Sequence, residues 1–397
     1  MNQAFFPESN AVEAHVVSRL PKCGKCGLYK HCSSPKMEPT GKGRRGILIV
    51  GESPGQQEDN DGVQFVGKAG RHLRRILGNV GCDLDRDCWK TNSVICHPSG
   101  NLTDRNHMNY CRPNLFNSIE TLKPKTIICL GVMASESLIA GLWQDDFGSM
   151  ARWSGWNIPC QKYNAWICPI YHPSYALRQD DSVLDRMIQR DFHNAIKHEN
   201  RPWERVPDYR KRIELIYDPN QVKFYIDKFI EKGDVIAFDY ETNRLKPDTD
   251  DAKIVSCSIC FNGWRTIAFP WHGTAIEATG RLLQSKIKKV ASNLKFEDRW
   301  TWKYFGHGVR NWYWDTMLAA HILDNRSYIS GLKFQAFVLL GQENYDKRVE
   351  PYLKGDKGGV NRIDEIDLSN LLIYNGMDAL LEYEVAMLQM KEMGIAS

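Results

Sequence analysis

Ile47-Leu48-Ile49-Val50-Gly51-Glu52-Ser53-Pro54-Gly55 is the stretch on which the fold turns. Its unbroken apolar run reads as a strand buried on both faces, stopped by a turn too tight to extend it. Ligands of open α/β sheets sit beyond the carboxyl ends of such strands, so Glu52 lies where chemistry is expected. Downstream, Phe65-Val66-Gly67-Lys68-Ala69-Gly70 sets an aromatic ring beside glycines that permit close backbone approach, just before a helix. An acid that only caps that helix would fit the same stretch.

Outward from this strand the same pattern repeats. Strands are expected at 88–95, 126–130 and 165–170, with helices between them, one of them over 71–77. Such alternation marks a parallel sheet flanked by helices. Arg71, Arg74 and Arg75 share one helix face, suited to phosphates or simply to water. Glu52, Asn92 and His172 then come from different strand ends of one sheet, with Phe65 on a neighbouring loop. A carboxylate, a carboxamide, an imidazole and an aromatic face are what a pocket for a flipped-out base requires. The amide of Asn92 can accept the N3–H of uracil and donate to O4, whereas cytosine presents the opposite pattern and would leave polar groups unpaired. Phe65 would stack on the base, and His172 would stabilise charge gathering on O2. Glu52 would orient water at C1′ or stabilise an oxocarbenium-like sugar.

Cys23-Gly24-Lys25-Cys26 can bite one metal centre but does not complete it, and Cys96 and Cys111 occur in suitable places. Thiolates drawn from separated loops are typical of an iron–sulfur cluster. Cys32 is an extra thiol that competes as a ligand, while Cys82, Cys88, Cys129, Cys160 and Cys168 read as buried free thiols. A chain of 397 residues favours two domains, and a net charge of +4 permits a nucleic-acid partner without arguing strongly for one. The first residues lack a secretory apolar region and no run approaches a membrane span, so a cytoplasmic protein without membrane association is expected.

The segments GESPG, FVGKAG, TNSVICHPSGN and YHPSYALR, with Cys23, Cys26, Cys96 and Cys111, resemble a family 4 uracil-DNA glycosylase carrying a [4Fe–4S] cluster. The resemblance implies that these cysteines hold the cluster and that Glu52, His172 and Asn101 are catalytic. It implies further that Phe65, Asn92, Glu58, Gly51 and Ser53 bind uracil, and that Gly67, Gly70, Ser174 and Arg178 contact DNA. Two departures stand out: Ser53 where alanine or glycine is usual, and His97-Pro98-Ser99 for the commoner Arg-Pro-Pro. The second puts one phosphate or cluster contact in doubt.

The first domain is expected over 1–200 and the second over 212–397, joined by the polar, proline-containing stretch 201–211. In Val235-Ile236-Ala237-Phe238-Asp239-Tyr240-Glu241, alternation points Asp239 and Glu241 to one face, about 7 Å apart. Strands at 253–261 and 266–269 suggest an antiparallel meander, on which Cys257 and Cys260 fall on opposite faces as packing residues. Acids recur in Asn293-Leu294-Lys295-Phe296-Glu297-Asp298 and in Tyr374-Asn375-Gly376-Met377-Asp378. Convergent carboxylates with a tyrosine suit two divalent ions about 4 Å apart. Solvated surface acids are the alternative, but Asp239 lies in an apolar strand, where an unpaired carboxylate is costly.

FDYET, NLKFED, WDTMLAAHIL and YNGMDA are similar to the DEDD 3′–5′ exonucleases, specifically the proofreading domain of DNA polymerase I. The resemblance implies Asp239, Glu241 and Asp378 as ligands of two Mg²⁺ or Mn²⁺ ions, with Tyr374 orienting water. Counting from Asn293 puts the second-motif acid on Glu297, whereas residue type favours Asp298; Asp298 is taken as the ligand and Glu297 as its alternative. The expected fold is therefore α/β with two domains, a glycosylase-like parallel sheet with flanking helices followed by an RNase H-like exonuclease. The expected function is a bifunctional DNA repair enzyme, of phage or bacterial type, that excises uracil and degrades 3′ ends. Its partners would be uracil-containing DNA with 3′ ends and a separate DNA polymerase. The alternative is a detached proofreading exonuclease whose glycosylase-like half only binds DNA.

Overall fold

A computed structural model describes residues 20–98, 100, 103–143, 145–179, 181–263, 265–345, 347–355 and 359–395. Asn101 lies outside these residues. The chain divides into two compact units, one formed by residues up to Gly155 together with Ile167–Glu199, the other by Trp156–Trp166 and Asn200–Ser397. The excursion Trp156–Trp166 interrupts the first unit, and the stretch expected as a linker groups with the second. Among the described residues no helix is long and apolar enough to cross a membrane.

The first sheet has strands β1 (Ile47–Gly51), β2 (Cys88–Asn92), β3 (Thr126–Leu130), β4 (Ile158–Cys160) and β5 (Ala165–Ile170), in the order β2-β1-β3-β5-β4. β1 runs parallel to both neighbours, and Leu48, Ile49 and Val50 are fully buried. Each such side chain contributes about 2 kcal/mol by leaving water. β2 ends sooner than its sequence suggests. Ser93 N–H donates to Gly51 O at 2.8 Å and Val94 N–H to Glu52 O at 3.0 Å, which turns the chain away from the ladder and toward the cysteines. In the helix Lys68–Asn79, Leu73, Ile76 and Leu77 face the core. The arginine face is divided there, because Arg74 is committed to Asp85 at 3.1 Å while Arg71 and Arg75 stay exposed.

The second unit is built on β6 (Ile213–Leu215), β7 (Val235–Thr242), β8 (Ile254–Phe261), β9 (Arg265–Pro270), β10 (Lys288–Ala291) and β11 (Trp312–Asp315). Their order is β11-β10-β7-β8-β9-β6. The meander β7-β8-β9 is antiparallel, while β10 pairs parallel to β7 and β6 parallel to β9. The two faces of this sheet bury separate cores. Phe238, Tyr240 and Cys257 pack on one, Ala237, Cys260 and the helix Leu368–Glu392 on the other. The two cysteines thus serve as packing residues on opposite faces.

Candidate active sites

The first site forms where β1 and β2 stop. Their parallel register pairs Gly51 with Asn92, so the carboxamide of a buried Asn92 emerges beside the Gly51 backbone. Phe65 comes to the same point. A Cβ added to Gly51 would lie 2.3 Å from Asn92 Oδ1 and 2.8 Å from Phe65 Cζ, so the amide and the ring converge over a residue that must lack a side chain. Phe65 is held in the left-handed region at φ 60°, which a non-glycine residue adopts only when its surroundings impose it. Gly70 supplies that imposition, since a Cβ there would fall 1.8 Å from Phe65 O. Arg74 donates to the same carbonyl. Glu58 Oε1 accepts the Gly67 N–H at 2.8 Å, clamping the loop that carries Phe65.

His172 follows β5, its Cβ 3.1 Å from where a Gly131 Cβ would lie. Ser174 N–H donates to His172 Nδ1 at 3.1 Å, and Ser174 Oγ lies 2.7 Å from the same nitrogen. An Nδ1 that accepts a backbone N–H carries no proton, so the neutral ring holds its proton on Nε2. Burial and then the nearby Arg178 push the imidazole down to about 4, keeping it neutral at working pH. Glu52 is pushed the other way: burial raises its carboxyl, partly offset by a hydrogen bond from Thr103 and by Arg178. Arg178 thus lowers both groups electrostatically, and its Nη1 donates to Ser174 Oγ at 3.0 Å. Ser53 contributes its hydroxyl to Thr103 at 2.8 Å.

Cys23, Cys26, Cys96 and Cys111 line one cavity, together with Tyr29, Lys36 and Asn114. Three N–H groups already aim at its sulfurs: Lys36 N to Cys96 Sγ at 3.3 Å, Ile95 N to Cys111 Sγ at 3.5 Å, and Asn114 Nδ2 to Cys111 Sγ at 3.4 Å. N–H donors of this kind tune cluster thiolates, so the donor set fits an iron–sulfur group. Burial pushes Cys96 up to about 12 and raises Cys111. Cys32 does not line the cavity; it hydrogen-bonds Cys96 from outside.

The second site forms on β7. Ligand oxygens of Asp239, Glu241 and Asp378 lie within 4.8 Å of one another. Asp239 is raised well above the carboxylate range, by burial first and then by Asp378; Glu241 is raised by burial, then by Asp239 and Asp378. Tyr374 is buried against them and its hydroxyl is likewise pushed up. Lys333 Nζ sits 5.5 Å over the Tyr374 ring and acts on Glu241.

The second motif requires a correction. Asp298 turns away from the acids, accepting the Val309 N–H at 2.8 Å and Trp312 Nε1–H at 3.1 Å through Oδ1. Glu297 is the acid that feels the site: it is 2% exposed, and burial first and then Asp239 raise its carboxyl. Residue type misled here, since one helical step rotates a side chain by about 100° and only one of two adjacent acids can face the centre. Three groups at this site, Asn375, Tyr345 and Glu382, have no role in the sequence reading. Asn375 donates to Asp239 Oδ2 at 2.6 Å, and Tyr345 donates to Asp378 Oδ1. Glu382, one turn beyond Asp378, accepts Ser292 N–H at 3.1 Å, and burial and then Asp239 raise it. The Oε2 atoms of Glu297 and Glu382 are buried with no hydrogen-bond partner among the described residues. An acid cluster with orphaned oxygens and few compensating cations fits divalent metal ions.

Comparison with known proteins agrees with both halves. Residues 39–197 match the uracil DNA glycosylase superfamily, and residues 213–391 match the 3′-5′ exonuclease family of DNA polymerase A type. The type-4 uracil-DNA glycosylase of Pyrobaculum aerophilum is 32% identical over 182 residues, covering 44% of this chain and 87% of that protein. Its counterpart from Saccharolobus solfataricus is 29% identical over 184 residues, 45% of this chain and 83% of that protein. A DNA polymerase of Bacillus phage SP01 is 24% identical over 330 residues, 74% of this chain and 34% of that protein. Among solved structures, Brucella melitensis NrnC bound to pGG shares 18% identity at a TM-score of 0.35, over 46% of this chain and 81% of that one.

Proposed function

The chain belongs to the type-4 uracil-DNA glycosylase family through its first half and carries a 3′-5′ exonuclease domain in its second, and we propose that it is a bifunctional DNA-processing enzyme with both activities. The glycosylase reading rests on the convergence of Asn92 and Phe65 over Gly51, and the exonuclease reading on the three carboxylates of β7 and the last helix.

In the first reaction Phe65 stacks on an extruded base, and Asn92 accepts from N3–H through Oδ1 and donates to O4 through Nδ2. The C1′–N1 bond breaks with its electron pair leaving on the uracil. His172 Nε2–H donates to O2 as that charge grows, and the ring's neutrality preserves the donor without transferring its proton. Glu52, ionised, steadies the cationic sugar and accepts a proton from the water that adds to C1′. Cys23, Cys26, Cys96 and Cys111 would hold a [4Fe–4S] cluster that staples their loops; the mechanism gives it no further part.

In the second reaction Asp239, Glu241, Glu297 and Asp378 would hold two Mg²⁺ or Mn²⁺ ions. Such ions supply charge neutralisation and an activated water when bound. Tyr374 orients that water toward the terminal phosphodiester, and Lys333 adds positive charge on the Glu241 side. In the first half, Gly67, Ser174 and Arg178 would contact the backbone of the DNA, while Gly70 is buried against the Phe65 carbonyl and serves the loop instead.

A 5′-labelled oligonucleotide with one uracil separates the activities. In EDTA followed by alkali, the wild type cuts at uracil and a Glu52→Ala/His172→Ala double variant does not. With Mg²⁺ the wild type shortens the 3′ end, and Asp239→Ala does not. Absence of uracil-dependent cutting in the wild type would leave the first half a DNA-binding module.

A further inference from the structure

Asn375 follows the tyrosine of the last motif, yet it points neither to solvent nor to the apolar core. It is fully buried on the helix Leu368–Glu392, and each of its polar atoms is spoken for. Nδ2 donates to Asp239 Oδ2 at 2.6 Å and, more weakly, to the Asp239 carbonyl at 3.3 Å. Oδ1 accepts from Ser256 Oγ at 3.0 Å, and the Asn375 carbonyl accepts from Ser258 Oγ at 2.7 Å. Both serines lie on β8, and the β7–β8 register pairs Glu241 with Ser256 and Asp239 with Ser258. The serines are therefore the cross-strand partners of the two β7 acids, and the amide spans from them to the carboxylate.

The chemistry of the partners fixes the direction of that amide. The Asp239 backbone carbonyl only accepts, as does its carboxylate once a cation is bound, so the NH₂ side faces Asp239 and the carbonyl side accepts from the hydroxyl of Ser256. A rotated amide would set oxygen against oxygen in a buried place, where an unmade bond costs most. Gly376 next to it lets the helix lie close against β6, since a Cβ there would meet Ile213 Cγ2 at 2.5 Å.

We infer that Asn375, oriented by Ser256, is a positioning residue that ties one oxygen of Asp239 to the protein and presents the other to the cations. The inference rests on the exonuclease reading above and adds to it a group outside the metal-binding acids. Asp239 lies between acids that repel it, and without the tether its carboxylate would rotate away from Asp378. Partners that orient a ligand typically govern metal affinity by 10–100-fold.

The test uses the full chain and Mn²⁺ alone as the probe, with binding followed by the electron paramagnetic resonance signal of the free ion. Asn375→Ala is expected to weaken Mn²⁺ binding by about 10–100-fold. It should also lower the single-turnover 3′-end rate at limiting Mn²⁺, with recovery when Mn²⁺ is raised. Ser256→Ala, which frees the amide but leaves it in place, should show the same pattern at smaller amplitude. Uracil excision by the same chains, measured in EDTA, should be unchanged, and calorimetric melting of the second unit reports that it is folded. Wild-type Mn²⁺ affinity in both variants would overturn the inference, as would a rate loss that no Mn²⁺ concentration restores. If Asn375→Ala does not fold, Ser256→Ala decides alone: unchanged affinity refutes, weakened affinity supports. Failure of the exonuclease reading looks different, since the wild type itself would then bind no Mn²⁺ and leave 3′ ends intact.

Discussion

The two sites solve opposite electrostatic problems. In the first site hydrogen bonds within the protein hold the side chains in place: Glu58 to Gly67 N–H, His172 to Ser174, Arg178 to Ser174 Oγ. Its shape is set by backbone, and glycines at 51 and 70 make room for the parts that touch the base. The exonuclease half instead gathers Asp239, Glu241, Glu297, Asp378 and Glu382 with little positive charge among them. On the proposed reading, one pocket is shaped by the protein alone and the other would be completed by cations. Substrate shape governs the first and counter-charge the second, so substitutions of the same size should have different signatures in the two.

The largest expected effect breaks the cation-dependent side. Asp239→Ala should lower Mg²⁺-dependent 3′ degradation by about 1,000-fold, the loss of several kcal/mol of transition-state stabilisation, while uracil excision in EDTA is untouched. Quantifying both products from one labelled strand checks this, and a parallel fall in the two activities would erase the contrast. Next come the adjacent acids. Glu297→Gln should cost about 100-fold in exonuclease rate, whereas Asp298→Asn should stay within about threefold and register chiefly as lost stability through Val309 and Trp312. The reverse order would restore Asp298 as the ligand.

On the shape-dependent side, Gly51→Ala should lower uracil excision by about 100-fold without affecting metal binding, because its methyl displaces Asn92 and Phe65 from their common point. Steady-state excision rates on single-stranded uracil DNA measure it. A smaller signature concerns stability. The Asp239, Glu241, Glu297 and Glu382 carboxyls are raised in the folded state, so they favour the metal-free second domain in acid. That contribution fades as pH rises from the ordinary carboxylate range through their folded values. Saturating Mg²⁺ at neutral pH should therefore raise its melting temperature by about 5–10 °C, and Asp239→Asn should remove most of that gain. Calorimetry with and without EDTA reads the difference. Last, the acid limb of uracil excision should follow Glu52 and lie above the ordinary carboxylate range, since burial raises that group. His172, held down to about 4, should give no limb near neutrality; a limb there that disappears in His172→Gln would mean that the ring shuttles a proton after all.

Much of this arrangement was legible in the chain. The apolar run into Gly51-Glu52 announced a buried parallel strand, and alternation alone put Asp239 and Glu241 on one face. The four cysteines were recognisable because their separated positions suit one centre, and they do line one cavity. Sequence had less to say where direction depends on packing. Glu297 and Asp298 differ by one helical step, and the choice between them is made by Trp312 and Val309, which are distant in the chain. Asn375 has no signature of its own, because its role exists only once β8 brings Ser256 and Ser258 across from β7. Likewise β2 stops at Asn92, short of the apolar run to Ile95, although Ser93 N–H still bonds the last residue of β1 and Val94 N–H bonds Glu52.

The pairing of Gly51 with Asn92 across β1 and β2 has a consequence for how the molecule fails. Asn92, proposed above as the amide that reads the base, ends a strand paired along its length with β1, whereas Glu52 and Phe65 reside on connections that follow the strands. Mild heat or chaotrope should loosen those connections before the ladder opens. A partly relaxed molecule would then turn over slowly while still rejecting cytosine, losing speed well before fidelity.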